Sequence, residues 1–159
     1  MNLEKYTQKS REAIFQAQQL ARDLNHQTIE PAHLLAALLR QEEGVVPALI
    51  ASMSGSVQAL RQDVSTDLDK RPKIQGVEGE PGLASTTADV LKAAERYARG
   101  MQDDFVSTEH LLLGLADNPA EGKRLSAYGL TKDTILNGLK SIRGTQRVTS
   151  ETPEDTYQS

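Results

Sequence analysis

Three histidines, His26, His33 and His110, have the widest chemical range in this sequence, since imidazole can ligate a metal or move a proton near neutral pH. A metal site would need further ligands at helical i, i+4 spacing, and none accompanies them; with no Cys in 159 residues, thiolate sites and disulfides are also excluded. His33 and His110 fall in the first turn of predicted helices, where the expected role is a bond to a neighbouring loop or helix start. Gly76, Gly79 and Gly82 superficially resemble a phosphate loop, but no strand precedes them and no G-x-x-x-x-G-K-[ST] occurs, so nucleotide binding is not expected. The serines include no G-x-S-x-G elbow. Asp103, Asp104 and Glu109 form an acidic group without the aromatic or basic company that acid/base catalysis requires. Carboxylates near a helix start are held ionised by the dipole, available to a partner's Lys, Arg or backbone N–H. These residues predict binding, with no catalytic residue and no metal ligand.

The elements that must position them are helices. From Thr7 to Leu24 the residues Ala13, Ala17, Leu20, Ala21 and Leu24 recur at three- and four-residue steps without Gly or Pro, with Thr7 a good N-cap. In EPAHLLAALLRQ, Pro31 suits the first helical position, and Leu34, Leu35, Leu38 and Leu39 supply a broad apolar face. Residues 47–52 and 57–68 predict a short and a longer helix, the latter capped by Ser56. Moving the sequence by 77 positions lays Ala13, Ala17, Ala21, Leu24, Ile29, His33, Leu34, Leu35 and Leu38 onto Val90, Ala94, Ala98, Met101, Val106, His110, Leu111, Leu112 and Leu115. Later the offset shrinks to about 75, pairing Leu60 with Ile135 and Val64 with Leu139, as a small loop deletion requires. The chain is an internal duplication, and Ser107 is placed to cap its helix as Glu30 begins the earlier one.

The expected architecture is all-α, about eight helices in two pseudo-twofold-related four-helix repeats. Repeat 1 spans about 3–70, repeat 2 about 84–144, and the Gly- and Pro-broken stretch 71–83 is a surface connector. Together these form one domain, 1–144. Residues 145–159, rich in Thr, Ser and charge and without periodicity, predict a flexible linker. A net charge of −4 with no basic run argues against nucleic acid. No apolar stretch approaches the roughly 20 residues of a membrane span, and the start has no apolar signal core, so no membrane partner and a cytoplasmic location are expected. A groove between two similar bundles would offer exposed aliphatic side chains to unfolded peptide.

Two copies of a roughly 75-residue unit carrying an H-L-L core resemble the double Clp-N repeat of the Clp ATPase chaperones. MNLEKYTQKSREAI, NHQTIEPAHLLAALL, RPKIQGVEG, DDFVSTEHLLLGLA and IRGTQRVTSETPEDTYQ resemble the ClpB disaggregase branch of that AAA+ family rather than its protease-linked members. The resemblance implies a domain that transiently binds unfolded or aggregated client proteins in stress and hands them to a hexameric ATPase ring working with the DnaK system. It also implies that 145–159 leads toward an ATPase domain beyond Ser159. ATP and magnesium are then cofactors of the full-length protein, none is expected in this fragment, and the fragment is expected to be monomeric. The family's surface set of Thr, Asp and Glu maps onto Thr7, Asp103 and Glu109, and one residue of its apolar groove onto Leu91, with Phe105 and His110 as further neighbours. Leu91 also aligns with Ile14 of the first repeat, which gives it a competing core role. The rival reading is a module that docks a folded adaptor, as in protease-linked Clp ATPases.

Overall fold

The computed structural model describes residues 2–53, 57–76 and 79–154. Among them are eight helices, four in each repeat: α1 (Gln8–Asp23), α2 (Pro31–Arg40), α3 (Val45–Met53) and α4 (Val57–Lys70), then α5 (Ser85–Gly100), α6 (Thr108–Asp117), α7 (Pro119–Ala127) and α8 (Lys132–Arg143). The N-cap expected at Ser56 lies outside the described residues.

The first two helices of each repeat are built alike. Thr7 caps α1 by accepting from Ser10 N–H at 3.2 Å. α1 and α5 both end through a residue in the left-handed region, Asn25 and Gln102, each at φ 59° and 77 positions apart. The following N–H then folds back, His26 onto Ala21 and Asp103 onto Ala98, both at 2.8 Å. α2 and α6 start with a histidine at their third position, whose Nδ1 accepts from the N-cap N–H: His33 from Glu30 at 2.8 Å and His110 from Ser107 at 2.9 Å. The helix-start role expected for both imidazoles is thus what they perform.

Leu34, Leu35, Leu38 and Leu39 of α2 and Leu111, Leu112, Leu113 and Leu115 of α6 are almost wholly buried, so these two helices are the centre of one shared aliphatic core. Neither is long and apolar enough to cross a membrane, nor is any other described helix.

Two short parallel pairings clasp the repeats. β1 (Thr28–Ile29) pairs with β2 (Gly82–Leu83), and Tyr6 bridges Val106. Position 83 is 77 beyond Tyr6, and 106 is 77 beyond Ile29, so the lead-in of each repeat pairs with the turn of the other. The connector 71–83 therefore ends in a strand, because Ala84 N–H finds the Ile29 carbonyl at 3.1 Å. A second departure concerns residues 145–154. They lie against the domain instead of forming a flexible linker, since Val148 offers an apolar side chain that becomes fully buried and Glu154 is 1% exposed.

Candidate functional site

Thr7, Asp103 and Glu109 come from the start of α1, the turn after α5 and the first turn of α6, and they are joined through one buried polar cluster. Far from forming an exposed set, they are 0%, 7% and 0% exposed. The covering is supplied by Arg143 at the end of α8 and by the segment 145–154, neither of which sequence reasoning placed here.

Asp103 is the hub. Because His110 Nδ1 is already an acceptor, its proton sits on Nε2 and is donated to Asp103 Oδ2 at 2.7 Å. Oδ1 takes Arg143 Nη2 at 2.6 Å and Val148 N–H at 2.9 Å. Burial alone would raise this carboxyl, but the bonds from His110 and Arg143 outweigh it and hold the pKa at about 2. The expectation that Asp103 stands free for a partner's cation is corrected by this arrangement: its partners are internal, because a desolvated carboxylate requires them.

Glu109 faces Arg143 Nη1 across 3.4 Å as an ion pair, while neither of its oxygens has a hydrogen-bond partner. Glu154 lies near it. Its Oε2 accepts from the Thr7 hydroxyl at 2.9 Å and from Thr108 N–H at 3.3 Å. Burial, and then the neighbouring Glu109 charge, push the Glu154 pKa up.

Leu91 does not join this cluster. At 6% exposure it packs in the aliphatic core, as does Ile14 at 4%, the residue it matches in repeat 1. It is therefore not an exposed groove residue, because its position on α5 falls on the face turned to the core. Phe105 is only partly covered, and Lys5 Nζ lies 5.8 Å from its ring centroid. His110, 0% exposed, acts within the cluster as the group that orients Asp103.

No group of three or more His, Asp or Glu among the described residues is arranged to hold a metal ion. What the arrangement offers is a set of backbone N–H donors at two helix starts, a threonine hydroxyl and buried charge, all spanned by residues 148–154.

The Clp repeat (R) N-terminal domain model matches residues 5–128. The chaperone protein ClpB of Nitratidesulfovibrio vulgaris is 36% identical over 165 residues, which takes in 100% of this chain and 19% of that protein. The chain thus spans about a fifth of the length of such relatives. The crystal structure of the Hsp104 N-terminal domain from Candida albicans superposes with a TM-score of 0.82 at 23% identity, covering 95% of this chain and 99% of that one. The N-terminal domain of the ClpV1 ATPase from E. coli EAEC Sci1 T6SS gives 0.78 at 26% identity, covering 96% and 92%. With eight helices in two clasped repeats, the fold of these N-domains and a family match over most of its length, this chain belongs to the Clp N-terminal repeat family and is an N-domain of the ClpB/Hsp104-like chaperones.

Proposed function

We propose that this domain transiently binds unfolded or aggregated client segments and delivers them to an ATPase ring. The observation that carries this reading is the way Thr7, Asp103 and Glu109 converge beneath residues 148–154, two of whose bonds to the domain join backbone to backbone. Gln8 N–H donates to the Glu151 carbonyl at 2.8 Å and Asp104 N–H to the Val148 carbonyl at 2.7 Å. Recognition through main-chain groups is indifferent to side-chain sequence, which suits a domain that meets many unrelated clients. Affinity is expected to be micromolar or weaker, since ordering a flexible peptide offsets much of the gain, and several domains on one ring would compensate.

The ring is expected to be hexameric, to use ATP and magnesium and to work with the DnaK system, all outside this chain; the chain itself binds rather than catalyses. NMR titration of the 159-residue chain with a permanently unfolded protein should move resonances of Thr7, Asp103 and Glu109, and a folded control should not. Shifts with a folded adaptor alone would favour the docking-module reading. Turnover of generic esters or nucleotides by the purified chain would contradict a purely binding role.

A further inference from the structure

The segment after α8 returns to the domain as a strap. Val148 makes two bonds at the turn after α5: its N–H donates to Asp103 Oδ1 and its carbonyl accepts from Asp104 N–H. The Glu151 carbonyl then accepts from Gln8 N–H, and Glu154 Oε2 from Thr7 and Thr108 N–H. Gln8 and Thr108 are the first residues of α1 and α6, whose N–H groups have no partner inside their own helices. The strap satisfies both.

Charge opposes this fit. Glu154 is 1% exposed beside Glu109 at 0%, and Glu154 Oε1 and both Glu109 oxygens lack hydrogen-bond partners. Like charges brought together out of water disfavour each other. The raised pKa of Glu154 has this origin, after burial itself. The seat is therefore shaped for an acceptor oxygen but penalises a full negative charge there. A side-chain amide meets both conditions: its oxygen can take the Thr7 and Thr108 bonds, and its NH2 brings no second negative charge beside Glu109, which already pairs with Arg143 at 3.4 Å.

We propose that residues 148–154 occupy the client cleft from within the chain, and that a client enters as an extended segment over Asp104, Gln8 and the start of α6, with a neutral amide side chain in the seat of Glu154. This rests on the client-binding reading, which it deepens by naming the path of the client, its preferred side chain and the contact it must displace. Glu154→Gln should lock the strap and Glu154→Ala should loosen it, so the two substitutions act in opposite directions. A residue that merely supports the fold would respond to both in the same direction. Val148→Ser loosens the strap from its other end, so the opening arm does not depend on one substitution.

The test is fluorescence anisotropy of a labelled, reduced and alkylated unfolded protein with the 159-residue chain and these variants. Relative to the parent, E154Q should bind several-fold more weakly and E154A and V148S several-fold more tightly, with amide exchange at Thr108 slower in the first and faster in the others. On V148S, a synthetic extended peptide with a central Gln should bind more tightly than the same peptide with Glu. Affinity unchanged, or moved the same way by E154Q and E154A, would overturn the strap while leaving client binding intact; a Glu peptide binding as well as the Gln peptide would overturn the amide preference. If neither parent nor variant binds unfolded protein, the client reading fails and this inference with it.

Discussion

The same position in the two repeats has been given opposite chemistry. His26 and Asp103 stand 77 residues apart, each following a left-handed residue and each meeting Nε2 of the repeat's helix-start histidine, at 2.8 Å for His33 and 2.7 Å for His110. In repeat 1 the pair is imidazole on imidazole. Burial, and then His26, lower the His33 pKa to about 4, so the pair is neutral at pH 7. In repeat 2 the carboxylate is charged and has acquired Arg143, whose counterpart at the shortened offset is the buried Leu68. Acid should therefore unfold the domain in two steps. His33 binds its proton more weakly when folded than at its ordinary 6.5, so stability is lost as pH falls from about 6.5 to 4. Asp103, depressed from 3.8 to about 2, contributes roughly 2 kcal/mol that is present above pH 4 and disappears between about 4 and 2. Denaturant unfolding at a series of pH values should resolve both. Asp67, held at about 2 by Arg71 and Arg124, contributes over the same window, so Asp103→Asn should shrink the lower step and leave the upper, and a slope unchanged by D103N would refute the assignment.

At the scale of elements, the repeats differ in how closely their first two helices approach. A Cβ added at Gly114 of α6 would lie 2.5 Å from the Val90 carbonyl oxygen of α5, whereas repeat 1 places Ala37 at the matching position without exposure. Backbone cannot swing aside as a side chain can. Gly114→Ala should cost roughly 2 kcal/mol through overpacking, despite gaining about 1 kcal/mol in helix propensity. A lowered denaturation midpoint would show this, and a raised one would refute it. The helices themselves were legible in sequence because Leu and Ala recur at helical steps, and the histidine caps because they repeat at equal spacing. The strands were not legible, since two residues have no periodicity and their partners lie some 54 to 100 positions away. The burial of Thr7, Asp103 and Glu109 was hidden for a related reason. It depends on a single apolar residue, Val148, in a polar stretch, and on Arg143, which reads from sequence as an ordinary cation in the last turn of a helix.

For the whole molecule, the two repeats behave as one body. α3 of the first repeat packs on α8 of the second, and Gly138 leaves room for Leu49 there. On another face Arg124 of α7 reaches Asp63 of α4 at 2.6 Å, Asp67 of the same helix, and Glu121 at 2.9 Å. The crossed clasp, however, has a further meaning. Tyr6 with Val106 and Leu83 with Ile29 are one contact made twice, once in each direction, which is the signature of an isologous interface between identical subunits. A lone repeat carries both halves of that contact but cannot close it upon itself. Residues 1–76 prepared as a separate chain should thus sediment as a homodimer, each copy lending its lead-in to the other's turn. A homodimer there would make the present domain the covalently joined form of such a pair, with the strap over Thr7 marking where the joined halves differ.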